Sequence, residues 1–228
     1  MGRKGNKKSM KRITVPNRIP ITNKKQYTFI DKVSPGPHSK QYSVPLSVLL
    51  RDILSLASSM KEVKKALSMN KIKVDGKTRK KADFPVGLMD VLQISDKTYR
   101  MLLDEKGKFK LYEISQNETL KPLKIIKKTP YKKSFQLTFH DGTTYLTKDN
   151  SYKVGDVVLF DLTKKNIVSL VKNKEGVNCI VIKGRHAGLR GTVKQIVEKG
   201  RAKEVVVSSK DREVITYLDY IFPLPEGW

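Results

Sequence analysis

The stretch Ile72-Lys73-Val74-Asp75-Gly76-Lys77-Thr78-Arg79 decides the fold of the first half of the chain. Its apolar residues alternate with lysine, which predicts a short strand, and Asp-Gly after such a strand is a strong signal for a tight hairpin turn. Farther along, residues 84–87 contain a proline and a glycine and predict another turn, and the apolar run at 91–94 predicts a further strand. This part of the chain therefore contains a small sheet.

Two helices are predicted before this hairpin. Apolar residues recur every three or four positions from Leu46 to Ala57, which makes one apolar stripe, and Pro45 suits the first turn. Ser59 and Glu62 have the spacing of a capping box and start a second helix. We therefore predict that residues 43–104 form one domain, with two helices followed by a small twisted sheet.

The remainder of the chain is predicted to be all β. Short apolar runs separated by turn signals are typical of small barrels, and they occupy residues 105–173 and again residues 174–228. We predict a central β-barrel-like domain in the first range and a second small barrel in the other. The segment from Lys121 to Lys133 carries six lysines and no acid, and it is predicted to be a loop. The fold class is therefore α+β, with a helix-helix-β domain followed by two small β-barrel modules.

Residues 1–42 are predicted to form a basic N-terminal extension. The first 30 residues contain nine Lys and Arg and no Asp or Glu, and they show no periodic apolar pattern. Such a segment cannot bury enough apolar surface to offset the entropy of ordering it. We therefore predict an extended arm that is disordered in the free protein and becomes ordered on RNA. A simple solvated tail is the alternative.

The charge balance of the whole chain indicates a polyanionic partner. The chain has 228 residues, with 47 Lys and Arg against 22 Asp and Glu, which gives a formal net charge of +25. Nucleic acid is the default partner for such an excess. A membrane partner is not expected, because the sequence shows no lipidation signal, no basic amphipathic helix with a bulky apolar face, and no apolar run near the roughly 18 residues of a membrane span. No signal peptide is recognised, so an intracellular protein is expected.

The densest basic segment runs from Lys61 to Lys81 and holds nine Lys and Arg, opposed only by Glu62 and Asp75. Helical spacing places Lys61, Lys64 and Lys65 on one face of the second helix, and the hairpin carries its own cations beside that helix end. A cationic groove of this kind suits the phosphates that flank a junction of RNA helices. An ordinary solvated surface is the alternative, and the unpaired surplus of charge in the chain favours RNA.

Several of these strings resemble a known family. The order of a Leu-rich helix, a Lys-rich helix and Ile-Lys-Val-Asp-Gly-Lys resembles the S-four type RNA-binding domain. Gly36-Pro37-His38, Val74-Asp75-Gly76-Lys77-Thr78-Arg79 and Phe84-Pro85-Val86-Gly87-Leu88-Met89-Asp90-Val91 are similar to the archaeal and eukaryotic S-four-e family of small-subunit ribosomal proteins. The chain ends soon after its last β module, which is typical of the archaeal members.

The resemblance implies a function, partners and a location. It implies a structural constituent of the small ribosomal subunit that binds and organises small-subunit rRNA through basic surfaces. Its partners would be that rRNA and neighbouring ribosomal proteins, and its place would be the ribosome in the cytoplasm. Because RNA helices offer shape more than readable sequence, few base-specific contacts are expected.

A second motif is the glycine-rich stretch Gly184-Arg185-His186-Ala187-Gly188-Leu189-Arg190-Gly191-Thr192-Val193, which lies between two apolar runs. It resembles a KOW motif, a loop on a small barrel that binds ribosomal RNA, and the family carries it at this place. Glycine is needed where the backbone takes a positive φ or approaches a partner closely. A nucleotide phosphate loop is excluded, because Leu189 stands where that motif needs glycine. A plain glycine-rich hairpin is the alternative.

The residues predicted to bind RNA fall into three groups. In the arm and the linker after it they are Arg3, Lys4, Lys7, Lys8, Lys11, Arg12, Arg18, His38 and Lys40. In the domain at 43–104 they are Arg51, Lys61, Lys64, Lys65, Lys71, Lys73, Lys77, Arg79 and Lys81. In the KOW-like loop they are Gly184, Arg185, His186, Gly188, Arg190 and Gly191.

Metal binding and catalysis are not expected. Cys179 is the only cysteine and lies in an apolar run, so a buried strand position is predicted rather than a nucleophile. The three histidines, His38, His140 and His186, have no metal-ligand spacing to one another or to Cys179. We assign no catalytic residue, no metal, no cofactor and no small-molecule substrate.

Two other functions are compatible with parts of the sequence. An rRNA-modifying enzyme of the pseudouridine synthase class can carry an S-four-like domain, but it needs a separate catalytic domain. A transcription factor can use a KOW barrel to bind RNA polymerase, and it would co-purify with polymerase rather than with ribosomal subunits.

Overall fold

The computed structural model describes residues 9–115, 119–199, 202–209, 212–225 and 228. Among these residues the chain divides into two compact units. The first consists of residues up to 102 together with 109–115, and the second consists of residues 103–108 together with those from 119 onward. Both units are built mainly from β-strands, with few helices.

The described part of the N-terminal extension is folded. Strand β1 (Ser9–Lys11) pairs with β2 (Phe29–Asp31), and a 3-10 turn follows β1 at Arg12–Thr14. Five apolar side chains of this segment are buried: Val15, Ile19, Ile21, Ile30 and Val33. The prediction that the first 30 residues are a disordered arm is therefore wrong for residues 9–30. Irregularly spaced apolar residues bury here without helical or strand periodicity, and residues 1–8 lie outside the described part of the chain.

The two predicted helices are present. After strand β3 (Ser43–Pro45), helix α1 spans Leu46–Val48 and continues as a wider π-helical segment, Leu49–Ile53, which ends four residues before the predicted end. Helix α2 spans Met60–Ser68. Its cap is close to the predicted box, because the Ser59 hydroxyl accepts a hydrogen bond from the Glu62 N–H at 3.3 Å. The Glu62 carboxylate accepts from the N–H of Ser58, one residue farther upstream than expected, at 2.8 Å.

The predicted hairpin begins a five-stranded antiparallel sheet with the strand order β5-β4-β7-β8-β9. The strands are β4 (Ile72–Val74), β5 (Lys77–Thr78), β7 (Val91–Ile94), β8 (Lys97–Leu103) and β9 (Phe109–Ile114). Asp75 and Gly76 both have positive φ, at 51° and 72°, as a two-residue type I′ turn requires. Since β8 and β9 are neighbours in this sheet, the predicted domain boundary at residue 104 falls inside a hairpin.

The turn predicted at residues 84–87 is wrong. Strand β6 (Pro85–Gly87) pairs with β3 in a separate two-stranded sheet. Proline is tolerated there because each strand of this sheet has only one partner. Gly87 serves close packing rather than turning, since a Cβ at this position would lie 2.4 Å from the His38 ring.

The first sheet of the second unit has the strand order β12-β11-β10-β13-β14 and is antiparallel throughout. The strands are β10 (Leu120–Tyr131), β11 (Ser134–Phe139), β12 (Thr144–Thr147), β13 (Val157–Asp161) and β14 (Asn166–Val171). A core of Leu123, Ile125, Leu137, Phe139 and Val158 lies on one side of it. The lysine-rich segment 121–133, predicted to be a loop, is thus mostly the long strand β10, and Lys121 and Lys124 are buried.

The second sheet of this unit has the strand order β18-β17-β16-β15-β19. The strands are β15 (Asn178–Val181), β16 (Arg190–Lys199), β17 (Ala202–Ser208), β18 (Glu213–Tyr217) and β19 (Ile221–Pro223). The predicted buried strand position of Cys179 is confirmed, and burial raises the pKa of its thiol to about 12. No helix in the described part of the chain is long and apolar enough to cross a membrane.

A buried ion pair links β10 to the turn after β11. Lys121 Nζ lies 3.2 Å from Asp141 Oδ2, and both side chains are almost completely buried. Burial by itself would raise the pKa of Asp141, but the charges of Lys121 and His140 and the hydrogen bonds from Thr143 outweigh it and lower the pKa below its ordinary 3.8. This carboxylate therefore stabilises the fold in its charged form.

Asp141 should make stability sensitive to acid. Its folded-state pKa is depressed, so its contribution is present above pH 3.8 and is lost as the pH falls from there through the folded-state pKa. We expect Asp141→Asn to lower the free energy of unfolding at pH 7 by about 3–5 kcal/mol, because Lys121 remains buried without the carboxylate charge that neutralises it. Urea unfolding between pH 7 and pH 3 measures both effects.

The double change Lys121→Met with Asp141→Leu should recover most of the stability at pH 7 and lose the acid-sensitive part. A double variant as unstable as Asp141→Asn would contradict this account.

Candidate nucleic-acid interface

The basic segment 61–81 is on the surface of the first unit. Eight of its nine cations are exposed, namely Lys61, Lys64, Lys65, Lys71, Lys73, Lys77, Lys80 and Lys81, and Arg79 is half-buried. Helix α2 buries Val63 and Leu67, which directs its three lysines away from the core. We call these nine residues the helix-hairpin surface.

The hairpin of this surface carries positive charge on both of its faces. Lys73 is paired directly with Thr78, and Val74 is paired directly with Lys77. Since directly opposed residues share a face and successive residues alternate, Lys73 and Lys77 lie on opposite faces of the two-stranded hairpin. The hairpin therefore offers cations to both of its sides.

Arg79 is held in place by an aromatic ring. Its guanidinium carbon lies 4.2 Å from the centroid of the Phe84 ring, within the range of a cation–π contact. The backbone N–H of Arg79 donates to the carbonyl of Ile72 at 3.2 Å, so the residue extends the hairpin ladder. A stacked, planar guanidinium is well ordered for bidentate contact with a phosphate.

The two acids within this segment serve the fold. The carboxylate of Glu62 accepts hydrogen bonds from the backbone and the hydroxyl of Ser58, and these bonds lower its pKa. The Asp75 carboxylate accepts from the N–H of Val91 at 3.0 Å, which fixes the turn against the next strand. Both carboxylates therefore have structural hydrogen bonds that hold them in position.

Two of the residues predicted to bind RNA lie inside the protein. Arg12 is 2 % exposed; its guanidinium pairs with Asp52 at 2.8 Å and donates to the carbonyl of Asn23 at 2.9 Å. His38 is 7 % exposed and pairs with the Asp90 carboxylate at 2.8 Å. We correct the prediction for these two residues, because a buried and paired side chain cannot reach a phosphate without disrupting the fold.

Other predicted residues of the first unit are accessible. Lys11 and Lys40 are exposed. Arg18 is half-buried with its guanidinium 4.5 Å from the centroid of the Tyr42 ring, and Arg51 is half-buried beside Asp52. The remaining predicted residues of the arm, Arg3, Lys4, Lys7 and Lys8, lie outside the described residues.

The KOW-like loop joins β15 to β16 in the second unit. The N–H of Gly188 donates to the carbonyl of Val181 at 2.7 Å, which closes the loop back onto its own strand. Gly184 and Gly188 have positive φ, at 82° and 94°. Arg185 and Arg190 are exposed, and His186 is half-buried, so charge is available on the outside of the loop.

Two glycines of this loop, Gly188 and Gly191, pack closely against the protein. A Cβ on Gly188 would lie 1.9 Å from the carbonyl oxygen of Asp104, and one on Gly191 would lie 2.2 Å from that of Ser208. Close packing against the chain itself therefore explains why residues 188 and 191 are glycine. The prediction that Gly188 and Gly191 contact RNA is corrected accordingly, and the exposed Gly184 and the two exposed arginines remain candidates.

The described residues hold no cluster of three His, Cys, Asp or Glu side chains that could bind a metal ion. His140, the one histidine outside the predicted RNA-binding set, has a structural position. Its Nδ1 accepts from the N–H of Lys124 at 3.2 Å, and its ring lies edge-on to that of Phe222 at 5.4 Å between centroids. The nearby Lys124 is buried, which lowers its pKa to about 8, and its Nζ donates to the carbonyls of Asp219 and Ile221.

These observations define a mainly β protein with exposed cations on both units. Comparison with known proteins gives the family. The sequence model of the ribosomal family S4e matches residues 95–167, and the model of the RS4NT (NUC023) domain matches residues 4–41.

Relatives match along nearly the whole chain. The small ribosomal subunit protein eS4 of Nanoarchaeum equitans is 36 % identical over 97 % of each chain, and that of Pyrobaculum islandicum is 38 % identical over 93 % of each. The crystal structure of the 30S ribosomal protein S4e from Thermoplasma acidophilum superimposes with a TM-score of 0.72 at 30 % identity, covering 82 % of this chain and 96 % of that one. The chain belongs to the ribosomal family S4e, which confirms the resemblance read from the sequence.

Proposed function

We propose that this protein is a structural constituent of the small ribosomal subunit and that it binds and organises small-subunit rRNA. The single observation that carries the proposal, beside the family, is the helix-hairpin surface, with cations on both faces of an ordered hairpin. The protein works in the ribosome, in the cytoplasm, beside other ribosomal proteins. It acts by charge and shape and is not an enzyme.

The geometry of the hairpin favours a position between two phosphate backbones. A surface with cations on one side neutralises one strand, whereas Lys73 on one face and Lys77 on the other can each meet a different RNA segment. Such a contact fixes the angle between two RNA helices without reading their sequence. Arg79, ordered on Phe84, adds a directional contact.

The RNA-binding residues that the geometry supports are exposed or half-buried cations. In the first unit they are Lys11, Arg18, Lys40, Arg51, Lys61, Lys64, Lys65, Lys71, Lys73, Lys77, Arg79 and Lys81. In the second unit they are Arg185, His186 and Arg190, and the glycines of the loop give it its shape. We also propose a division into an N-terminal extension that is folded from residue 9, an S-four-like domain that includes the hairpin of β8 and β9, a central barrel and a KOW barrel.

Sedimentation of the tagged protein in cell extract tests the proposal against the transcription-factor alternative. At physiological salt the protein should travel with small ribosomal subunits in a sucrose gradient. It should leave them as the salt concentration is raised, because phosphate contacts weaken when counterions compete. Co-purification with RNA polymerase, with no protein in the subunit fractions, would contradict the proposal.

A further inference from the structure

The outer face of the sheet β12-β11-β10 carries none of the RNA-binding residues proposed above. Leu137 and Phe139 of β11 point into the core, so the alternate residues of the three strands point outward. Register defines three outward rows across the strands. They are Lys127–Thr138–Thr144, Thr129–Gln136–Leu146 and Tyr131–Ser134.

This outer face is positively charged and rich in hydrogen-bonding groups. The three strands contain no Asp or Glu. Lys127 is exposed at one end, Lys132 and Lys133 form the turn at the other end, and Lys148 is exposed just after β12. Two acids flank these strands in sequence: Asp141 is buried against Lys121, and Asp149 accepts hydrogen bonds from the backbone and hydroxyl of Ser151. Between the lysines lie hydroxyl and amide side chains.

Two features of the hairpin tip are unusual for a solvated strand end. Tyr131 is 49 % exposed at the end of β10, with the Lys132 ammonium 5.7 Å from the centroid of its ring. Lys132 has a φ of 51°, a left-handed conformation that glycine or asparagine adopts more readily. A lysine at this turn position thus keeps a charge where the backbone favours another residue.

The hairpin is also anchored on its inner side. Lys128, on the opposite face from Tyr131, donates from Nζ to the carbonyls of Asn150 and Tyr152 at 2.9 and 3.0 Å and lies 4.5 Å from the centroid of the Phe135 ring. This lysine is committed to the fold. The outward residues are therefore held on a strand that does not have to order when a ligand binds.

We propose that the outer face of β10–β12 is a further RNA-binding site, which takes an unstacked, single-stranded nucleotide segment. Tyr131 stacks on a base, Lys127, Lys132 and Lys148 contact phosphates, and Thr129 and Gln136 bond to base edges or 2′-hydroxyls. The combination of an exposed ring, flanking lysines and a polar sheet face is the chemistry by which proteins hold single strands. The site rests on the proposed function in that its ligand is RNA.

Photocrosslinking locates this site directly. The probe is a single-stranded oligoribonucleotide of about eight nucleotides, within the site size of small nucleic-acid-binding folds, carrying 5-iodouridine. It is irradiated with the full-length protein, and mass spectrometry maps the crosslinked residue. We expect Tyr131 to be the main aromatic crosslink. Tyr217 is the matched control, because it is also a strand tyrosine with 49 % exposure. Absence of a crosslink at Tyr131, or an equal yield at Tyr217, would overturn the proposal.

Affinity measurements give the test a second readout. They are made by fluorescence anisotropy in a background in which Lys71, Lys73, Lys77 and Arg79 are alanine, so that the helix-hairpin surface contributes less to binding. Tyr131→Val should weaken binding of the single strand by about tenfold, and Tyr131→Phe should retain it, since the ring supplies the stacking. Tyr217→Val should have no effect. Equal losses for the two valine variants would refute stacking at Tyr131.

Two further variants separate charge from structure. Lys132→Asn relieves the left-handed lysine, so the melting temperature should hold or rise while the single strand binds less tightly and with a smaller salt slope. Lys132→Gln with Lys133→Gln removes the two lysines of the turn and should weaken binding of the single strand. Lys164→Gln with Lys165→Gln is its matched control. It removes two exposed lysines from the hairpin tip at the other end of β10, since Asp161 pairs with Leu120 there. Equal losses of affinity for the two glutamine pairs would overturn the proposal. Crosslinks on residues 61–81 alone would also overturn it, but they would leave the proposed function intact.

Discussion

Replacing Lys71, Lys73, Lys77 and Arg79 together by alanine is expected to weaken binding to small-subunit rRNA by on the order of 100-fold at 0.1 M salt. Each lost phosphate contact removes about one unit from the slope of log affinity against log salt, so the slope should fall by about three to four. The fold should persist, because the three lysines are exposed and alanine at 79 keeps the backbone hydrogen bond to Ile72. Filter binding of the full-length protein over a range of salt concentrations measures both quantities.

The matched control has the same change in charge at another place. Lys164, Lys165, Lys172 and Lys174 are exposed lysines of the second unit, outside the proposed RNA-binding set. Their replacement by alanine should change the slope by less than one unit. An unchanged slope in the first variant, or the same fall in both, would show that net charge and not the helix-hairpin surface determines binding.

Of the glycine-to-alanine substitutions in the KOW-like loop, Gly188→Ala is expected to lower the free energy of unfolding the most. The new Cβ would lie 1.9 Å from the Asp104 carbonyl oxygen and 2.8 Å from the Gly107 nitrogen, and both of these are backbone atoms. The positive φ of 94° adds strain for any residue with a side chain. We expect a loss of about 3 kcal/mol, which lowers the melting temperature by roughly 6–12 °C for a chain of this size.

Two comparisons separate the shape of the loop from its charge. Gly184→Ala should cost less, because its Cβ would meet only the flexible side chain of Tyr220 at 3.3 Å. Arg185→Gln with Arg190→Gln should leave the melting temperature nearly unchanged and lower incorporation into subunits in a gradient competition. If the arginine variant assembles like the wild type, the loop is only a glycine-rich hairpin. If Gly188→Ala melts like the wild type, the close packing at Asp104 is wrong.

Local chemistry explains what could be predicted from the sequence. The turn at Asp75-Gly76 depends on two residues that accept positive φ, and the start of α2 depends on a serine and a glutamate three positions apart. Both signals lie within a few residues, so they can be recognised in the sequence without knowledge of the tertiary fold. The family resemblance rests on the same strings.

The predictions that were wrong depended on long-range partners. Arg12 is buried because Asp52 lies beside it, forty residues away in sequence, and His38 is buried because Asp90 does. Lys121 became part of a core strand because Asp141 neutralises it. A run of lysines in a sequence therefore indicates a surface only where no buried acid is brought to meet one of them, and spacing along the chain does not contain that information.

The outer face of β10–β12 was missed for a related reason. Once the segment 121–133 is read as a loop, the alternation of Lys127, Thr129 and Tyr131 has no meaning, because only a strand places them on one face. The strand itself was concealed by its lysines, which lower the hydrophobic contrast between its two faces. Its first half is also buried on both faces, since residues 121–125 are all buried, so no period of two is visible there.

The central claim is that this protein binds small-subunit rRNA through the helix-hairpin surface. Crosslinking in cells, followed by sequencing of the bound RNA and by mass spectrometry of the crosslinked peptides, tests it most directly. The account predicts that small-subunit rRNA dominates the recovered RNA, that peptides within residues 61–81 carry the crosslinks, and that the quadruple alanine variant loses them. Recovery of nascent transcripts in place of rRNA, or undiminished rRNA crosslinking by the quadruple variant, would contradict it.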